Sequence, residues 1–261
     1  MFSWVFDVPL WIVGPVLVAL LAGISLVGLA VRPRILPRIR TTFEDNDFVG
    51  VMVHSIMVFY GLLLALIAVR VFESYSEASR VVSTEASAIA MLYRDAESYP
   101  EPARSEIQTA LRDYVHHLIH EAWPLQRKGS IPEGGVALMD HIQARLAAFE
   151  PATEEHKALH AEAWRAYNHV VDARRTRLDH LTTGLPAVMW MVVLLGAAIS
   201  LSAASFFHVP DARLHAVLVA MLATFIASVI FVVIALDHPF RGDLGIRTEA
   251  YELIYNQLMA R

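Results

Sequence analysis

The sequence predicts an all-α integral membrane protein: four transmembrane helices, with a large helical polar insert between helices 2 and 3. Three observations predict it. The 261 residues are 56% apolar and only 18% charged, and the mean hydropathy is +0.47, whereas charged residues make up about a quarter of a soluble protein. Four windows are long and apolar enough to cross a bilayer, which takes roughly 20 residues of helix. The stretch between the second and third windows is polar, repeats its apolar residues at helical spacing, and nowhere alternates with period two.

The first span covers residues 8–31 and carries no charge. It lacks a basic n-region and is too long for the apolar part of a signal peptide, so it reads as a retained helix. The second, 49–69, holds one histidine and ends at Arg70; the third and fourth cover 185–207 and 214–236, the last closed by Asp237. Trp4, Trp11 and Trp190 lie near span ends, as interfacial aromatics do. Four regions follow: 1–72 with two spans and a basic loop, the insert 73–184, 185–236 with two more spans, and 237–261 with an exit turn and an amphipathic helix. The insert holds 17 Asp/Glu against 12 Lys/Arg and so carries the whole net charge of −5. Its apolar stripes are Ile107, Leu111, Tyr114 and Leu118; Val136, Met139, Ile142, Leu146 and Phe149; and Leu159, Trp164, Tyr167 and Val171. Breaks fall at Tyr99–Pro102, at Lys128–Gly135 with Pro132, and at Glu150-Pro151. Residues 73–98 and 152–184 are expected to continue the second and third spans outward as long helices. A last helix, about 245–260, puts Ile246, Ala250, Ile254 and Leu258 on one face.

Arg32, Arg34, Arg38 and Arg40 follow a first segment without Lys or Arg, which places that loop in the cytoplasm and the insert outside by the positive-inside rule. Six arginines near the membrane on the insert side (Arg70, Arg174, Arg175, Arg177, Arg241, Arg247) pull the other way. The absence of cysteine excludes a disulfide scaffold and thiol chemistry. With no basic block, nucleic acid is not an expected partner. There is no nucleophile elbow, no P-loop and no dinucleotide fingerprint, so neither an enzyme nor a cofactor is expected.

Several residues could carry function. His116 and His120 are four apart on one helix face, the spacing of two metal ligands, but Pro124 stands where a metalloprotease pattern needs histidine; a solvated face is the plainer use, and no metal is expected. His54 lies inside the second span, where an ionisable group suggests function. Its stripe continues through Met57, Val58, Gly61, Leu64 and Ala65. Such a stripe lines a pore that gates by dewetting, with Leu64 the bulkiest constriction, or it packs spans together through Gly61 and Ala65. Glu44, Asp45 and Asp47 precede the span, either as a cation-attracting mouth or as a helix cap. Arg70 at the span's end is the candidate for anion selectivity. Asp237 at a helix C-terminus opposes the helix dipole and calls for a partner, for which Arg174, Arg175 and Arg177 are candidates. Pro239 and Gly242 mark a sharp exit from the membrane.

In order, Glu85-Ala86-Ser87-Ala88, Leu92-Tyr93-Arg94-Asp95, Glu121-Ala122-Trp123-Pro124, Ala173-Arg174-Arg175-Thr176-Arg177-Leu178, Leu185-Pro186 with Trp190, and Leu236-Asp237-His238-Pro239-Phe240-Arg241-Gly242 resemble the bestrophin-like domain family of membrane proteins, over about residues 50–245. Ala122 departs from the pattern by separating Glu from Trp, which shifts only a local turn. The family is distantly similar to bestrophin anion channels, pentamers whose pore is lined by the second transmembrane helix. Their exit segment resembles Pro239-Phe240-Arg241-Gly242-Asp243, although the dense acidic run that binds calcium in animal bestrophins is missing after Asp243. The resemblance implies a multi-pass protein of the cell membrane, a homo-oligomer of five chains in contact with lipid, conducting inorganic ions and chloride among them. The alternative is a non-conducting sensor or scaffold whose insert binds a partner.

Overall fold

The structure, a computed structural model, describes residues 5–6, 8–35, 42–131 and 133–260. Trp4, Arg38, Arg40 and Pro132 lie outside the described residues. The chain forms α1 (Leu10–Ile35), α2 (Asn46–Asp95), α3 (Ala103–His117), α4 (Trp123–Arg127), α5 (Gly134–Ala147), α6 (Glu154–Leu181), α7 (Ala187–Ala204), α8 (Ala212–Asp237) and α9 (Glu249–Ile254). No strand occurs among the described residues. Four of these helices are long and apolar enough to cross a membrane: α1, α2, α7 and α8. The chain divides into two compact units, one of residues 1–73 and 184–237 and the other of 74–183 and 238–261.

In the first unit α1 packs along α8 and touches α7 more sparingly. Tyr60, Leu64, Ile67 and Val71 of α2 form the stripe that packs with Trp190, Val193 and Ala197 of α7 and with Ile226, Ile230 and Val233 of α8. Gly196 is required there, because a Cβ would stand 2.4 Å from the Tyr60 ring. The Tyr60 hydroxyl donates to the Val193 carbonyl at 3.1 Å. Loop ends are tied by polar contacts to backbone. Asn46 accepts from the His208 N–H and donates to the His208 carbonyl, both at 2.8 Å, and Arg32 donates to the Ser205 carbonyl and lies over Phe206.

The second unit is a helical bundle with its own core. On α3, Ile107, Leu111, Tyr114 and, just beyond, Leu118 are buried as their spacing predicts. On α5, Met139, Ile142 and Leu146 are buried, while Val136 is exposed. On α6 the buried stripe is Ala163, Ala166, Tyr167, Val170, Ala173 and Arg177, not Leu159-Trp164-Tyr167-Val171; Val171 is exposed and Trp164 only partly buried. Arg177 sets that register, since residues 7, 11 and 14 positions before it return to its face, and alanines there let neighbouring helices approach.

Two expectations about helix continuity are resolved differently. α2 runs unbroken for 50 residues. α6 and α7, by contrast, are separate helices, which corrects the long helix expected to run from 152 into the third span. Proline disfavours the helical conformation in the residue before it, so Leu185 cannot carry the helix into Pro186, whose ψ is 147°. The Leu185 N–H donates instead to Asp237 Oδ1 at 2.6 Å. The carboxylate that ends α8 thereby sits at the N-terminal, positive end of α7, where the dipole favours it.

Candidate functional site

Helix α2 carries the candidate ion-path residues, and the structure divides them. Leu64 is 5% exposed and belongs to the core of its own unit, so it cannot form a shared constriction. Met57 is partly buried and lines an open pocket with Val53, Ala204 and His215. The burial of Leu64 is a correction to the stripe read from sequence: 3.6-residue periodicity finds a face but cannot tell an inward face from an outward one when both are apolar. His54, Val58, Gly61 and Ala65 remain at the protomer surface, and a Cβ on Gly61 would meet nothing within 4 Å. The centre of the outward face is occupied by Val51, Ser55, Val58, Leu62, Leu66 and Val69; Leu62 is 58% exposed. Leu62 and Leu66 are exposed on it, which sequence alone does not reveal because leucine at a span's surface and leucine in its core look alike.

The polar ends of this face are described as well. Arg70 is exposed, with Glu73 one turn on at 4.0 Å, an ion pair too loose and too wet to matter much. Glu44, Asp45 and Asp47 are exposed. Asp45 accepts from the Thr42 N–H at 2.7 Å and the Thr42 hydroxyl at 2.8 Å, which holds its carboxyl below the usual range. It closes the turn before α2 and looks backward to Thr42; the ties between α2's first residue and the rest of the unit come from Asn46.

A second cluster lies inside the polar unit. Glu85, 0% exposed, interrupts the buried stripe Ala78-Val82-Glu85-Ile89-Leu92 of α2. The Arg177 Nε–H donates to its Oε2, and Arg177 Nη2 lies 3.4 Å from its Oε1. The hydroxyls of Tyr114 and Tyr251 each donate to the same carboxylate at 2.8 Å. Arg177 Nη1 donates to Gln126 Oε1 at 2.7 Å, and its guanidinium lies 5.7 Å from the Trp123 ring. Both charges are thus paired and hydrogen-bonded, the condition for burying them. Burial works against the Arg177 charge, but Glu85 outweighs it and holds that pKa above its ordinary value. Burial, reinforced by Glu85, pushes both tyrosines up, so they remain hydroxyl donors. Arg177 is therefore committed to Glu85 and Gln126. Tyr114 comes from α3, Gln126 from α4, Arg177 from α6 and Tyr251 from α9.

The exit turn closes over this cluster. Phe240 and Tyr251 meet the Trp123 ring edge-on at 5.7 and 5.5 Å, and the Trp123 indole N–H donates to the Ile246 carbonyl. Pro239 accepts the Ile246 N–H, and Gly242 takes φ +69°, a left-handed turn that glycine adopts without strain. The Gly242 carbonyl accepts from Arg127. Residues 118–122 form one turn of π-helix, in which the Trp123 N–H reaches back to Leu118. Ala122 ends this π-bulge, and Trp123 beyond it is buried in the core. The His116 and His120 rings lie 4.5 Å apart, yet no group of three or more potential metal ligands gathers among the described residues.

The Bestrophin-like domain family model matches residues 19–251. The chain belongs to that family. Among solved structures, it resembles bacterial bestrophin homologues from Klebsiella pneumoniae. One matches at 13% identity and TM-score 0.65 over 95% of this chain and 97% of that one. Another matches at 14% and 0.63 over 95% and 96%. No curated protein matches the sequence. In this bestrophin-like chain the landmarks that carry the resemblance, Glu85, Trp123, Arg177 and Phe240, are the residues that converge in the buried cluster. They hold a fold together; the ion-path candidates lie elsewhere. The signal for Glu85 was present as a carboxylate at an interior position of an apolar stripe. Nothing local marked Gln126 or Tyr251.

Proposed function

We propose that this chain is one subunit of a homo-oligomeric channel of the cell membrane, a pentamer conducting anions such as chloride, with the outward face of α2 lining the path. The observation that carries this reading is the order of residues along that face: His54 and Ser55 toward one end, apolar Val58, Leu62, Leu66 and Val69 between, and Arg70 at the other. A polar entrance, a dry constriction and a cation at the far mouth are the parts a gated anion path needs. Leu62 and Leu66 take the constricting role that Leu64 cannot. The family and the shared fold agree with this reading. Reconstitution in a planar bilayer tests it. Leu62→Ala is expected to raise conductance, and Arg70→Glu to lower the preference for anions over cations. A folded oligomer that passes no current under any gradient or voltage overturns it.

A further inference from the structure

Because α1 packs mainly on α8, a furrow stays open between α1 and α7. It encloses about 490 Å³, within the range of small-molecule sites. Its walls include Leu17, Leu21, Ile24, Gly28 and Leu201, and it ends at Arg32. From Leu17 to Arg32 the helix rises roughly 22 Å, one leaflet of a hydrocarbon core about 30 Å thick plus its interfacial margin. Two of the three hydroxyls in the walls are spent on backbone: Ser25 donates to the Leu21 carbonyl at 2.7 Å and Ser205 to the Ser202 carbonyl at 2.7 Å, while the exposed Ser202 is the third. The result is a largely apolar slot with a guanidinium at its mouth, braced by the Ser205 carbonyl and the Phe206 ring. Arg34 follows half a turn on and is exposed.

We propose that this furrow is a binding site for an anionic glycerophospholipid of the surrounding bilayer, one acyl chain lying along Leu17–Gly28 and the phosphate on Arg32. The charge of the slot's mouth selects the occupant. A second copy of the chain would have to present an apolar ridge ending in an acidic group, whereas an anionic phospholipid carries both parts in one molecule. Basic pockets between transmembrane helices hold acidic headgroups in this way, and a guanidinium fork suits a phosphate. The site is distinct from the ion path proposed on α2.

Native mass spectrometry of the full chain, purified in detergent and titrated with phosphatidylglycerol or phosphatidylcholine, tests it. The unaltered chain is expected to retain phosphatidylglycerol preferentially. Gly28→Phe fills the slot, and since a Cβ at Gly28 meets nothing within 4 Å the helix accommodates it; retention is expected to fall about tenfold, the effect of denying burial to two methylenes. Arg32→Gln keeps a donor for the Ser205 carbonyl but removes the charge, and is expected to abolish the preference between the two lipids while either still binds. Equal retention by Gly28→Phe, an unchanged preference in Arg32→Gln, or a loss of oligomer in Gly28→Phe, which would make the furrow a subunit interface, each overturns the proposal.

Discussion

Most buried polar side chains of the span unit have backbone partners, Ser200 having none, whereas the buried charges of the polar unit are paired side chain to side chain. Ser25, Ser205, His215 and Asp237 bond to Leu21, Ser202, Ala204 and Leu185 main-chain groups. Glu85, Arg177, Gln126, Tyr114 and Tyr251 bond side chain to side chain. A backbone partner is supplied by any helix and says little about which helices must meet. A shared carboxylate is satisfied only when α2, α3, α6 and α9 arrive in one register. The span unit also leaves long apolar faces outward on α1, α2, α7 and α8, surfaces that lipid and neighbouring copies can cover, whereas the polar unit encloses its own core.

Breaking the shared carboxylate is the harshest test of that contrast. Glu85→Ala leaves Arg177 charged and buried without its counter-ion, and is expected to destabilise the polar unit by roughly 3–5 kcal/mol, read as a fall in the denaturant midpoint; a shift no larger than that of an exposed substitution would show that the network contributes nothing. Next comes the inward face of α2. Leu64→Ala is expected to cost about 2–5 kcal/mol as a cavity in the span core while leaving unitary conductance unchanged, and Leu62→Ala to do the reverse. The same two readouts on both variants decide which face is inside.

A smaller effect is expected at Gly129, which holds φ +80° beside the Arg241 guanidinium. Gly129→Ala is expected to lower thermal stability by about 1–2 kcal/mol, and Gly134→Ala by less. The smallest concerns His160, whose Nε2 accepts the Trp164 indole N–H at 2.9 Å and whose Nδ1 lies 2.8 Å from the Tyr99 hydroxyl. Burial holds its pKa below the ordinary value, so the neutral ring is favoured in the fold. That contribution is complete above about pH 6.5 and is lost as the pH falls from there through the depressed folded value. Melting curves are expected to drop below pH 6.5 by under about 1 kcal/mol more in the unaltered chain than in His160→Gln; parallel curves would assign the acid sensitivity elsewhere.

Much of the fold was legible before any coordinates. The four spans, the α3 stripe and the breaks at Tyr99 and Pro151 follow from run length, periodicity and proline. The candidate site was legible only in part. Of the stripe read as lining a pore, His54, Gly61 and Ala65 are exposed on the protomer and Leu64 is buried, and periodicity does not single out the exposed Leu62 and Leu66. For Asp237 the sequence points to arginines, whereas its carboxylate accepts from the Leu185 amide, a group with no sequence signature. The α6 stripe was displaced because the buried residue that sets its register is an arginine, which a hydrophobicity pattern counts as surface.

By itself the sequence determined how many helices form, which are apolar and where the chain must turn, because these depend on interactions among near neighbours. Which side of each apolar helix turns inward, and which charges meet in the dark, was decided by tertiary structure alone. The partners of Glu85 stand 29, 92 and 166 residues away, and no local pattern encodes a contact whose energy exists only once those segments are folded around it.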